Sequence, residues 1–112
     1  MKLQLKERTV RGLFQGTGDV VICDIASKEM MNLKNRCFIT IRLVQGASLG
    51  IHCHKQESEI YFIIQGRGWY NDNGKEYEIR AGEAVICFDG DSHGICNKKE
   101  EELIFIALVI NV

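Results

Sequence analysis

Residues 52 to 59 read HCHKQESE and hold two of the three histidines in the chain. In a strand, successive side chains point to opposite faces, so His52 and His54 project to one side and Cys53 to the other. Two imidazoles on one face form a chelate, whereas on a helix the same pair would diverge by about 200°. After the polar turn KQES, Glu59 opens the next strand, and a hairpin returns its carboxylate beside the two rings. His93, in the polar, glycine-rich DGDSHGICN, is the one histidine left to complete a set. At this level two readings stand: a metal site, or an exposed His-x-His pair beside a surface glutamate.

The elements that must position these residues read as strands. Apolar residues recur in short runs, DVVICDI 19–25, CFITIRLV 37–44, IYFIIQ 60–65, YEIRA 77–81, EAVICF 83–88 and LIFIALVI 103–110, rich in β-branched and aromatic types and bounded by Gly, Asn and Asp. Asn73-Gly74 tolerates the positive φ of a tight hairpin turn between GWY and EYEI. Only SKEMMNLKN 27–35 has room for a helical turn or two. Evenly spaced short strands with little helix predict an antiparallel sandwich or barrel, and 112 residues predict a single domain spanning 1–112.

Composition narrows the partners. Fourteen Lys and Arg against fifteen Asp and Glu give a formal charge of -1, so no excess of either sign points to nucleic acid or an anionic membrane. The longest apolar run, LIFIALVI, is far too short to span a bilayer, and the charged N-terminal stretch MKLQLKERTVRGLF does not read as a signal peptide. We therefore expect a soluble, cytoplasmic protein. Five cysteines with no C-x-x-C pair argue against a disulfide framework or zinc ribbon and read as reduced, partly buried thiols. On strand 60–65, Ile60, Phe62 and Ile64 share the face away from the histidines, an apolar outer surface that predicts a homodimer.

The spacing Gly46, His52, His54, Glu59, Gly66, followed by Gly82, Gly90, His93, Asn97, resembles the two motifs of small single-domain cupins. One position departs: the family's usual proline two residues before Gly90 is Phe88 here. The resemblance implies a double-stranded β-helix, or jelly-roll barrel, with one divalent metal held by His52, His54, Glu59 and His93. Three neutral imidazoles and a carboxylate suit a first-row ion, Mn, Fe, Co, Ni, Cu or Zn, and are too rich in nitrogen for Mg or Ca. On an octahedral ion such a set leaves two positions for a small-molecule ligand.

The resemblance favours a metal-dependent enzyme on a small oxygenated metabolite, such as a sugar, organic acid or keto-enol compound, acting as an isomerase, decarboxylase or dioxygenase. Tyr61 is the candidate general acid or base; Thr40, Arg42, Tyr61 and Gln65 are candidate pocket residues, with Arg42 suited either to a substrate anion or to an acidic neighbour. Trp69 and Tyr70 are expected to pack on the sheet. Two other readings compete: a binding or sensing module, and a scaffold stiffened by its metal. Since imidazoles bind metal only when neutral, occupancy is expected to fall below about pH 6.

Overall fold

The computed structural model describes residues 1–112. Ten strands follow one another: β1 (Glu7–Arg11), β2 (Asp19–Ala26), β3 (Asn35–Leu43), β4 (Ser48–Cys53), β5 (Glu57–Gln65), β6 (Arg67–Asp72), β7 (Lys75–Arg80), β8 (Ala84–Cys87), β9 (Ser92–Cys96) and β10 (Leu103–Asn111). They form two antiparallel sheets, one of six strands in the order β1-β2-β3-β10-β5-β8 and one of four in the order β4-β9-β6-β7. This is the predicted all-β double-stranded β-helix.

Alternation decides what each strand buries. Ile39, Ile41 and Leu43 of β3, Tyr61 and Ile63 of β5, and Leu103, Phe105 and Ala107 of β10 face inward, against Leu49, Tyr70, Ile79 and Ile95 of the smaller sheet. Central β10 pairs with β3 and β5 together, so Phe105 lies across from Ile41 on one side and Ile63 on the other. Burial of each such large side chain contributes about 1.5–3 kcal/mol. The outer face of the same sheet is apolar too: Ile60, Phe62 and Ile64 are 41%, 44% and 47% exposed.

Turn chemistry follows the sequence closely at one place and departs from it at another. Asn73 and Gly74, at φ 52° and 92°, close the β6–β7 hairpin, with the Gly74 N–H donating to Asn71 Oδ1 at 2.8 Å. Residues 27–34 form turns rather than helix, and the reason is local: Asn32 and Leu33 both take left-handed φ, 53° and 62°, which no α-helical ladder can pass through. A single 3-10 turn, Leu13–Gln15, lies against β4. No helix is long and apolar enough to cross a membrane.

Candidate metal centre

Strands β4, β5 and β9 bring His52, His54, Glu59 and His93 to one point, where one ligand atom from each lies within 4.8 Å of all the others. His52 pairs directly with His93 across β4 and β9, while His54 follows the last residue of β4. Its backbone is tied to the turn before β9: the His54 N–H donates to Asp91 O at 3.0 Å, and the Gly90 N–H to His54 O at 2.7 Å. Phe88, standing where a proline was expected, donates its own N–H to Asp91 Oδ2 at 3.3 Å and accepts from the Asp91 N–H at 2.9 Å. Hydrogen bonds thus hold the turn that presents His93. A proline could not make the first of them.

Each ring is anchored on its far side. Nδ1 of His52 lies 2.7 Å from Gly50 O, that of His54 2.5 Å from Glu57 Oε2, and that of His93 2.7 Å from the Tyr70 hydroxyl. Gly50 O and the Glu57 carboxylate accept, so Nδ1 of His52 and of His54 donates, and with the Tyr70 hydroxyl accepting from His93 as well, all three rings can offer Nε2 to an ion at the centre. There Nε2 of His54 and of His93 are 3.1 Å apart, each 2.9 Å from Glu59 Oε1, and Nε2 of His52 is 3.9 Å from that oxygen. Buried His52 Nε2 has no hydrogen-bond partner. Two atoms on opposite sides of one ion with bonds of about 2.1 Å are about 4.2 Å apart, so the cluster has the dimensions for one first-row cation, and the donor set suits it.

The electrostatics agree. Burial pushes the Glu59 carboxyl up, but the facing nitrogens of His52, His54 and His93 outweigh it and hold it well below the usual carboxylate range. His54 is raised, chiefly by Glu59 and, against the effect of burial, also by Glu57. His93 is lowered because its burial outweighs the pull of Glu59. The shifts of Glu59 and His54 both reflect Nε2 protons shared with an ionised Glu59, and a cation at the centre would take the place of those protons, leaving the three Nε2 lone pairs and the carboxylate to it.

Beside the cluster lies a chamber of about 280 Å³, walled by Leu13, Phe14, Ile41 and Leu49 among others, with His54, Glu59 and Tyr61 also on its lining. Arg8, Arg36, Cys37 and Ile39 line both this chamber and an outer cleft of about 930 Å³ near residues 27–33. The two arginines are spoken for, Arg8 by Asp24 at 2.8 Å and Arg36 by Glu57 at 3.0 Å.

The candidate pocket residues divide. Tyr61 is at the site: its ring stacks on His93 with centroids 4.7 Å apart, and its buried hydroxyl has no hydrogen-bond partner. Burial first, and then nearby Glu59, raise that hydroxyl well above its ordinary range. Gln65 lies six residues beyond Glu59, about 20 Å along β5 and past a register shift that sets it opposite Ile104, where its Nε2 donates to Glu102 O at 3.1 Å. Thr40 and Arg42 are not in the pocket. Since Ile39, Ile41 and Leu43 take the inner face of β3, alternation turns Thr40 and Arg42 outward, and Arg42 pairs with Glu7 at 2.9 Å and Glu102 at 3.4 Å. Cys53 points away from the centre and is exposed, as alternation predicts.

Three residues at the site escaped the sequence reading. Glu57 was assigned to a polar turn but opens β5 and reaches back to His54. Tyr70, expected merely to pack, holds His93. Phe14 stacks on His52 at 3.7 Å and 13°. It reaches that ring because two glycines let the loop press on β4: a Cβ on Gly50 would sit 1.9 Å from Phe14 O, and one on Gly16 would sit 2.3 Å from Ser48 O. The positions of Gly16 and Gly50 were the one available signal for this crossing, and it became readable only once the loop was in place.

Residues 39–110 match the family described as Cupin domain. The chain is 41% identical over 95 residues to the oxalate-binding protein of Thermotoga maritima, an alignment covering 85% of this chain and 78% of that one. It superposes at a TM-score of 0.95, with 36% identity and coverage of 97% and 95%, on the crystal structure of a predicted oxalate decarboxylase from Thermotoga maritima. An RmlC-like cupin from Shewanella frigidimarina shares the fold at a TM-score of 0.78 and 16% identity, covering 97% of this chain and 86% of its own.

Proposed function

The chain belongs to the cupin family, and from that premise we propose that it binds a small carboxylic acid, oxalate first among them, at a divalent first-row metal held by His52, His54, Glu59 and His93. One observation carries the reading: three Nε2 atoms and a carboxylate oxygen converge beside a half-open chamber, each ring held by a partner on its far side. The bound ion would supply a Lewis-acidic position for carboxylate oxygens. The name of the relative from Thermotoga maritima, an oxalate-binding protein, supports the same ligand class.

The chamber itself favours a small acid over a sugar. Its volume of about 280 Å³ admits either, so the lining decides. A sugar presents hydroxyls on every side, and each one buried without a partner costs about 1–3 kcal/mol. Nine of the fourteen residues around the chamber are hydrophobic, so a ligand with its oxygens gathered at the metal end fits best.

Binding fits these residues better than proton-transfer catalysis. Burial pushes Cys37 up to about 12 and Tyr61 well above its ordinary range, so neither is a base at neutral pH. Glu57 has one oxygen on His54 and the other on Arg36. The catalytic alternative rests on one group, the unpartnered Tyr61 hydroxyl, a neutral donor within the site.

Calorimetric titration of Mn-loaded and metal-stripped protein with oxalate and with glucose, followed by product analysis, tests the proposal. Oxalate binding that requires metal, no glucose binding and no turnover is the expected result. Equal oxalate binding without metal would overturn it, and release of formate and carbon dioxide would establish the decarboxylase reading instead. We also propose that two copies pair through the outer face of β5, β8 and β10, where Ile60, Phe62, Ile86 and Ile110 are 39–44% exposed. Sedimentation at micromolar concentration reads that state directly, and a monomer would refute it.

A further inference from the structure

The three imidazoles are anchored alike in geometry but unequally in charge. His52 gives its Nδ1 proton to a backbone carbonyl and His93 Nδ1 faces a neutral phenol hydroxyl, which can donate or accept, whereas the acceptor for His54 is a carboxylate. A hydrogen bond to an ionised acceptor is roughly twice as strong as one between neutral groups. It also leaves the ring more electron-rich at Nε2, the atom turned to the centre.

The segment between the two residues is built to make this contact. Gln56 takes φ 61°, a left-handed conformation that L residues rarely adopt, and so folds the chain back between His54 and Glu57. Both of its backbone groups are pinned: the Gln56 N–H donates to Asp89 Oδ1 at 2.6 Å, and Gln56 O accepts from the Val112 N–H at 3.0 Å. Glu57 is then mostly buried, its side chain 15% exposed, with Oε2 2.5 Å from His54 Nδ1 and Oε1 3.0 Å from Arg36 Nε. An ion pair with Arg36 alone would occupy only Oε1, whereas Oε2 is also engaged, by His54.

We infer that Glu57 is a positioning residue: it locks His54 in the tautomer that offers Nε2 inward, and so sets the affinity of the site for its metal. The inference rests on the metal-binding reading above. Glu57 also lines the chamber, but both of its oxygens are engaged, Oε2 by His54 and Oε1 by Arg36, which fixes its rotamer from the opposite side.

The test is zinc affinity by competition with a chromophoric chelator, with apo melting as the fold control. Glu57→Gln, which can keep the hydrogen bond but loses the charge, is expected to weaken zinc about tenfold, and Glu57→Leu, which loses both, about a hundredfold. Arg36→Gln is expected to cost less than tenfold, since it leaves the contact with His54 in place. Affinities of both Glu57 variants within twofold of the unmodified chain would overturn the inference, as would equal losses in Arg36→Gln and Glu57→Leu. Should the Glu57 variants fail to fold, nitrogen-15 spectra of the unmodified zinc-loaded protein decide the matter. The expected signature is a protonated His54 Nδ1 with a strongly downfield proton, and a protonated Nε2 would overturn the inference. If the unmodified chain binds no zinc, manganese or cobalt at all, the metal reading fails and takes this inference with it; a chain that binds metal with Glu57 irrelevant leaves that reading intact.

Discussion

His93 and Asn97 sit four residues apart at and just beyond β9, about 13 Å along the strand, and both are 1% exposed. They mark opposite ends of the barrel and solve burial in opposite ways. Asn97 spends everything it has: its Nδ2 donates to Leu43 O and to Glu101 O, both at 2.9 Å, and its Oδ1 accepts from the Lys99 N–H at 2.9 Å. Its backbone also joins the turn at Gly46 and Ala47. Around His93, by contrast, buried valence remains: His52 Nε2 and the Tyr61 hydroxyl lack partners, and several nitrogens face a single carboxylate oxygen. A buried polar group whose bonds are all made closes a loop. One left with lone pairs aimed at a common point is prepared for something to arrive.

The sharpest way to break this contrast is to remove Asn97. Asn97→Ala strands two carbonyls and an N–H, at about 1–3 kcal/mol each, so urea unfolding is expected to show a loss of about 4 kcal/mol in the metal-free protein. A loss under 1 kcal/mol would mean that the closed end is not held as described.

The other end should respond in the reverse manner. His52→Leu in the metal-free protein is expected to change stability by no more than about 1 kcal/mol, since the bond to Gly50 O and the stacking on Phe14 are lost but leucine still packs on that ring and a buried Nε2 without a partner is removed. Metal should separate the two proteins: at a free concentration 100 times its dissociation constant it is expected to stabilise the unmodified chain by about 2.7 kcal/mol and His52→Leu by much less, as read from melting with and without a chelator. Equal stabilisation of both would remove His52 from the ligand set.

The smallest effect is expected at the rim of the chamber, where the Arg8–Asp24 pair at 2.8 Å is satisfied but more than half exposed. The bond from Arg8 holds Asp24 below its ordinary carboxylate value against a minor opposing effect of burial. A carboxyl depressed in the folded state contributes its stabilisation above its unfolded value, near 3.9, and loses it as the pH falls toward the folded one. Asp24→Asn should therefore cost about 0.5 kcal/mol or less at pH 7, with the difference closing below about pH 4 in acid-denaturation curves. A difference that grows at low pH would contradict the assignment.

Much of the architecture was legible because alternation is local. His-Cys-His divides two rings from a thiol wherever a strand is formed, and Ile60, Phe62 and Ile64 emerge on the face away from Tyr61 for the same reason. The same rule applied to Ile39, Ile41 and Leu43 turns Thr40 and Arg42 outward, where Arg42 meets acidic neighbours, one of the two kinds of partner its sequence suited. The turns of 27–34 are harder to read, because Asn32 alone tolerates a left-handed φ and nothing in SKEMMNLKN announces one at Leu33.

By itself the sequence determined the all-β fold, the faces of its strands and the four residues drawn to one centre, because side-chain alternation and turn chemistry act over a few neighbouring residues and motif spacing preserves their register. Only the tertiary structure decided which partner holds each ring, since Phe14, Gly50, Glu57 and Tyr70 meet the histidines through a loop crossing, a reversed turn and the packing of two sheets. Those contacts depend on the direction of whole elements in space, which no short-range pattern encodes. The chamber beside the centre is likewise formed by strands distant in sequence, and its size and apolar walls bear on what the site can hold.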